Sequence, residues 1–331
     1  MTCTIERSPL SSLNKPKPVT DVRDEVFWRE DAECQKPVST DLYNTKDASV
    51  VVAALASSPD DRDVQFEGCD AITRLACGDT GQGSEEKARL LSESGACDLV
   101  LASMSAFPED DGIQEAACRA VMTLAALSPC SKKHLAKAGV CTRLAEVLDR
   151  FPKDRAMHEL VFWAVVNLTA DDAQMTRHFG EVGMCPLVVQ GMATFPSDGA
   201  LQEVACSAVA SLAAYSLKNK EVLGEGRAAS HVATALEAFP LDRGIQERAC
   251  WAVVNLAASS PKNSSRLRQA GVCHLVCNAL STFSFDLALQ EIGCQAMVNL
   301  STRSPTNARI LGECRACQLV CSAMRVFRMD C

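Results

Sequence analysis

The sequence predicts an all-α fold built from one helical unit repeated every 44 residues, and three independent markers carry that prediction. The first is a helix motif. "QEAACRAVMTLAA" opens at Gln114, "HELVFWAVVNLTA" at His158, "QEVACSAVASLAA" at Gln202, "QERACWAVVNLAA" at Gln246 and "QEIGCQAMVNLST" at Gln290, each 44 residues after the one before. A weaker copy, "QFEGCDAITRLAC", opens at Gln65, 49 residues before Gln114; the extra five fall in the glycine-rich stretch "GDTGQG" from Gly78 to Gly83. The second marker is Phe107, Phe151, Phe195, Phe239, Phe283 and Phe327, again 44 apart. The third is Gly95, Gly139, Gly183 and Gly271, with Arg227 and Arg315 in the remaining slots.

Within one unit the elements follow in order. A short helix such as "PKNSSRLRQAG" ends at Gly271, a residue suited to close a helix. A second, "VCHLVCNALSTF", carries apolar residues at three- and four-residue spacing. "FPxD" then breaks the chain, because Pro disfavours helix in the residue before it and Asp suits an N-cap. The third and longest helix is the repeated motif. No segment alternates with period two over a useful length, so no sheet is expected. The repeat domain is expected to span 46–331, about six units with the last one incomplete. Residues 1–45, polar and without periodicity in "SPLSSLNKPKPVTD", are expected to be a disordered or extended tail, in which "DEVFWRED" (Asp24 to Asp31) is a candidate docking motif.

Composition narrows the function classes. Hydrophobic residues make up 47%, which argues against wholesale disorder. No apolar run is long enough to span a bilayer, and the first residues lack the apolar core of a secretory signal. The expectation is a protein inside the cell, cytoplasmic or nuclear. The net charge of −8 disfavours a general nucleic-acid binder, which needs a basic footprint, and is compatible with a basic protein or peptide partner.

A short–medium–long helix triplet, with "AG" before the second helix and "QERACWAVVNLA" in the third, resembles the armadillo (ARM) repeat of importin-α, β-catenin and armadillo-only scaffolds. The resemblance covers about residues 45–331. It implies a right-handed superhelical solenoid whose third helices line a groove for an extended protein segment. It also implies roles for individual residues. Trp163 and Trp251 would stack on Lys or Arg stems, while Asn167 and Asn255 would hydrogen-bond a peptide backbone. A helical wheel agrees with that placement: with Trp251 as origin, Ala249, Ala252, Val253 and Leu256 form the apolar stripe, while Trp251, Asn255 and Glu247 fall outside it.

The Trp–Asn ladder is interrupted. At the Trp position the other units carry Asp70, Arg119, Ser207 and Gln295; at the Asn position, Arg74, Thr123, Ser211 and Asn299. Arg119, Gln295 and Asn299 are expected to flank the tryptophans, and Arg119 and Arg74 to repel a cationic ligand. A row of carboxylates, Glu115, Glu159, Glu203, Glu247 and Glu291, sits near the helix N-termini, where the dipole favours it, and should make this face acidic. The leading expectation is therefore a non-catalytic scaffold for a protein or peptide partner. An importin-α-like adaptor for basic peptides and an armadillo-type exchange factor for a small GTPase are the alternatives.

Eighteen cysteines recur mostly at two slots, one in the third helix (Cys69, Cys118, Cys206, Cys250, Cys294) and one in the second (Cys97, Cys141, Cys185, Cys273, Cys317). Recurrence at fixed slots marks a packing choice, with free Cys serving as a small buried hydrophobe. "CRACQLVC" around Cys314, Cys317 and Cys321 lacks a second pair to complete four zinc ligands, so no metal is expected. No phosphate-binding loop, HExxH or GxSxG motif is present, and neither a cofactor nor an enzymatic activity is expected.

Overall fold

The computed structural model describes residue 42 and residues 45–78 and 84–327. The expected N-terminal tail, including "DEVFWRED", and the stretch from Asp79 to Gly83 lie outside these residues, apart from positions 42 and 45. Among the described residues every regular element is a helix. The chain divides into two compact units between Leu168 and Thr169.

In the first unit the helices run Ala48–Ser57, Arg62–Cys77, Glu85–Glu93, Ala96–Ala106, Asp111–Leu127, Pro129–Lys137, Val140–Arg150 and Arg155–Thr169, the division falling at the end of the last. In the second they run Ala173–Glu181, Met184–Thr194, Gly199–Ala214, Leu217–Glu225, Ala228–Ala238, Arg243–Ala257, Pro261–Gln269, Val272–Thr282, Leu287–Ser301, Pro305–Glu313 and Ala316–Val326. The expected triplet is present, with first helices of 9 residues, second helices of 11 in complete repeats, and third helices of 15 to 17.

Local chemistry sets each boundary. The Asp of "FPxD", and of "FSFD" in the repeat that begins at Phe283, caps the third helix: Asp110, Asp198, Asp242 and Asp286 each accept the backbone N–H three residues on, at 2.9 Å. Ser128, Ser260 and Ser304 cap first helices that begin with proline, whose missing N–H is not needed there. Between the first and second helices the chain turns through one left-handed residue. Gly95, Gly139, Gly183 and Gly271 occupy it at φ of 80–92°, and Arg227 and Arg315 adopt the same region at φ 68° and 60° despite their side chains.

The conserved period of the motif's first residue has a structural cause that spacing did not reveal. The side-chain Nε2 of Gln114, Gln202, Gln246 and Gln290 each donates to two carbonyls at the end of the preceding second helix; for Gln246 these are Leu236 O at 2.9 Å and Phe239 O at 3.0 Å. Gln65 does the same toward Leu55 and Ser58. Helix ends leave carbonyls without intrahelical partners, and a buried amide here satisfies two at once. In the remaining unit His158 holds the slot, buried, with Nδ1 against Asp154 O and its ring edge-on to Phe162.

The core lies where third helices pack side by side, Arg62–Cys77 on Asp111–Leu127 in the first unit and Gly199–Ala214 on Arg243–Ala257 on Leu287–Ser301 in the second. Small buried residues such as Ala249, Cys250 and Ala252 let these helices approach closely. Most of the recurring cysteines are buried as expected, but Cys294 is half-buried and Cys317 exposed. Burial pushes the Cys69, Cys185 and Cys250 thiols up to about 12, in keeping with inert packing groups.

First helices of the second unit are tied by an asparagine row. Asn219 Nδ2 donates to Thr176 O at 2.8 Å and to Leu212 O at 3.1 Å; Asn263 donates to Lys220 O at 2.8 Å; Asn307 donates to Ser264 O and Leu300 O. Gly180 and Gly224 make this possible, because a Cβ there would stand 1.8 Å and 2.0 Å from the Asn219 and Asn263 Oδ1 atoms.

Candidate functional site

Along a third helix the surface left open is a narrow stripe. In Arg243–Ala257 the wheel's apolar residues, Ala249, Ala252, Val253 and Leu256, are buried, while Glu247, Arg248 and Trp251 remain partly exposed. Trp251 therefore stands where the wheel puts it. Its indole N–H has no hydrogen-bond partner among the described residues, and the same holds for the half-buried Trp163 of the first unit.

The asparagines are placed differently. Asn255 is only 2% exposed, although the wheel sets it opposite the apolar stripe. Its Nδ2 donates to Ala210 O of the preceding third helix at 2.9 Å. Asn299 repeats the bond one unit on, to Val254 O at 2.9 Å. The reason is geometric: a third helix is flanked by its neighbours, so the buried arc is wider than the apolar stripe of one isolated helix. Asn167 is likewise buried.

At the same two slots two of the other units pair their side chains with each other. Asp70 and Arg74 form an ion pair at 2.9 Å. Gln295 Nε2 donates to Asn299 Oδ1 at 3.2 Å. Ser207 and Ser211 are buried, and the hydroxyls of Ser211 and of Thr123 have no partner among the described residues.

The acidic row is neutralised rather than open. Arg119 pairs with Glu115 and Arg155 with Glu159, each one helical turn away. Arg243 pairs with Glu247 at 2.8 Å and also reaches Asp286 at 2.5 Å in the next repeat. Glu203 faces Arg248 at 3.9 Å, and burial, ahead of the neighbouring charges, holds its carboxyl above the usual range. Only Glu291 stands exposed without a partner among the described residues. The expectation of an acidic face is corrected on this point: i,i+4 guanidinium groups and cross-repeat pairs cancel most of the row. For the same reason Arg74 and Arg119 are not bare cations that repel a basic ligand.

Among the described residues no group of three or more His, Cys, Asp or Glu is arranged to hold a metal ion, and no helix is long and apolar enough to cross a membrane.

Three-helix repeats with a buried Gln staple and side-by-side third helices define an armadillo-type repeat protein. A family model described as the LRRK2 ARM repeat matches residues 39–271, and the chain belongs to that family. Among solved structures it is similar to a designed armadillo repeat protein, at 21% identity over 77% of this chain and 100% of that one, with a TM-score of 0.64. An engineered protein is similar at 18% identity, over 85% of this chain and 67% of that one, with a TM-score of 0.71. A designed armadillo repeat protein in complex with the peptide (KR)4 is similar at 18% identity, over 77% of this chain and 100% of that one, with a TM-score of 0.61. At such identities the likeness is one of fold. No curated protein matches the chain. Armadillo folds commonly serve as protein-binding scaffolds rather than as enzymes.

Proposed function

We propose that this chain is a non-catalytic scaffold that binds an extended protein segment on the open stripe of its third helices. The observation that carries this reading is Trp251: a large aromatic side chain left partly exposed beside the buried Cys250 and Ala252, with an indole N–H that has no acceptor among the described residues. Exposed tryptophan of this kind offers both contact area and a polar handle to a partner. Trp163 gives the first unit the same feature. Gln295, Asn299, Arg119 and the paired Glu247 supply flanking polar contacts, whereas Glu159 is buried against Arg155. Asn167 and Asn255, being buried, support the stack and are secondary in binding. The fifteen described cysteines, all free thiols, support a reducing compartment inside the cell, cytoplasmic or nuclear.

Intrinsic fluorescence is the direct test, since each unit carries one of the chain's three tryptophans on a third helix. The chain is titrated with (KR)4, the peptide held by the designed neighbour, and with a mixed-sequence peptide library, at low and moderate salt. Saturable quenching lost in Trp251→Ala or Trp163→Ala supports the reading. Salt-sensitive quenching confined to (KR)4 would favour the basic-peptide adaptor. Emission unchanged by every peptide would sink segment binding at the tryptophans and redirect the search to a folded partner.

A further inference from the structure

Two half-buried cysteines in the described chain touch a histidine, and they are not equivalent. Cys130 Sγ lies 3.6 Å from His134 Nδ1, but that same nitrogen is 3.0 Å from Cys130 O on the same helix. A nitrogen facing a carbonyl carries its proton and cannot take one from the thiol. Cys314 Sγ lies 3.0 Å from His274 Nδ1, and there the nitrogen has no competing partner among the described residues. The two residues come from different helices. His274 is in the second helix Val272–Thr282, whereas Cys314 closes the first helix Pro305–Glu313 of the next repeat. His274 is exposed, so the pair is open to small molecules.

A second thiol lies beneath it. Cys277 is one helical turn from Cys273 and His274 and only 4% exposed. Burial pushes its thiol up to about 12, and the neighbouring Cys314 adds to the effect. A half-exposed thiol beside a free imidazole nitrogen, backed by a buried thiol, is the arrangement of an oxidisable cysteine with its resolving partner.

We propose that Cys314 is a modification site: its thiol gives its proton to His274 and reacts with a hydroperoxide, and the product closes a disulfide onto Cys277. In the first step the Cys314 sulfur attacks the terminal peroxide oxygen, the O–O bond breaks, and an alcohol or water leaves with the proton. Cys314 becomes a sulfenic acid, and the hydroperoxide is the two-electron oxidant. In the second step the Cys277 sulfur attacks the Cys314 sulfur, the S–OH bond breaks, and water leaves with the Cys277 proton. The result ties a second helix to the first helix of the next repeat.

The full-length chain, reduced and freed of reductant, is titrated with hydrogen peroxide and mapped by peptide mass spectrometry, with and without dimedone. Cys317 and Cys321, exposed on the adjoining helix and without a histidine contact, serve as internal controls. Cys314 is expected to oxidise at least about tenfold faster than either, which is a modest gain for a positioned base. A Cys277–Cys314 linkage should appear with the loss of two hydrogens and reverse with dithiothreitol. His274→Ala should slow Cys314 to the rate of the controls without changing theirs. Cys277→Ala should leave Cys314 as a dimedone adduct. Equal rates at Cys314, Cys317 and Cys321 in the unmodified chain, or a first disulfide that omits Cys277, would overturn the proposal, and neither result depends on a variant folding.

Discussion

Asn255 in one third helix donates its side-chain amide to the Ala210 carbonyl of the helix before it, at 2.9 Å and out of reach of solvent. Trp251, one turn earlier on the same helix, makes no such bond and is half-exposed. The motif that pairs the two residues in sequence thus divides into a structural half and an open half. Asn255→Ala is expected to lower stability by about 1–3 kcal/mol, since a buried acceptor loses its donor. Trp251→Ala should leave the urea midpoint nearly unchanged and act on binding. If Asn255→Ala weakens a bound peptide while leaving the denaturation curve in place, the division is wrong.

The Gln246 staple gives the second prediction. Its Nε2 serves Leu236 O and Phe239 O together. Gln246→Ala strands two helix-end carbonyls and is expected to cost about 1–3 kcal/mol. Because each repeat contacts its neighbours, the loss should be local. Hydrogen exchange should rise first in Ala228–Ala238 and Arg243–Ala257. Uniform exchange across the whole second unit would contradict it.

His158 replaces that glutamine in one repeat and brings a pH dependence with it. Burial holds its pKa below the ordinary value, against the hydrogen bond to Asp154, which raises it. The folded state therefore favours the neutral ring. The stabilisation is fully present above the unfolded value of about 6.5 and is lost as pH falls toward the lower folded value. His231 is shifted the same way by burial, so the difference between proteins isolates His158. His158→Gln should flatten the decline in melting temperature between about pH 7 and pH 5 and restore the bonding seen at Gln246. Parallel pH curves for the two proteins would refute this assignment.

Gly224 offers a paired test. A methyl group at that position would lie 2.0 Å from Asn263 Oδ1 and 2.5 Å from an Arg266 nitrogen. Gly224→Ala is expected to destabilise by about 1–3 kcal/mol through overpacking, more than the helix propensity of alanine returns. Adding Asn263→Ala removes the nearer obstruction and frees the Arg266 side chain, which Asn263 Oδ1 holds, so the double variant should lose less than the sum of the singles. Strict additivity would show that the two side chains do not meet.

Arg227 sits at φ 68° where four other repeats use glycine. A side chain in this region costs about 1–2 kcal/mol, part of which glycine gives back as lost entropy in the unfolded chain. Arg227→Gly should raise the urea midpoint slightly, by at most about 1 kcal/mol. A drop would mean that the arginine side chain stabilises the turn.

The repeat period, the helix triplet, the capping aspartates and most of the buried cysteines were legible in the sequence, because each depends on a residue and its near neighbours along the chain; the half-buried Cys294 and exposed Cys317 were not. The open position of Trp251 was legible for the same reason, since one helix has a calculable apolar stripe. The role of the leading glutamine was not. Its partners lie 7 and 10 residues back, across a loop, and no periodicity names an acceptor. The cancellation of the glutamate row was half-legible, with Arg119 and Arg155 one turn from their partners. The Arg243–Asp286 and Arg248–Glu203 pairs cross repeats and required the fold.

The sequence by itself determined the architecture of this protein, since a unit repeated every 44 residues buries the same apolar stripe and breaks at matching positions, where Pro, Gly and Asp recur in most repeats. Tertiary structure alone decided which polar side chains are free. Whether an amide such as Asn255 meets a ligand or a neighbouring carbonyl depends on how closely the next helix packs. Residues 40 to 45 apart become neighbours only once the repeats have stacked, and that stacking left Trp251 open and brought Cys314 to His274.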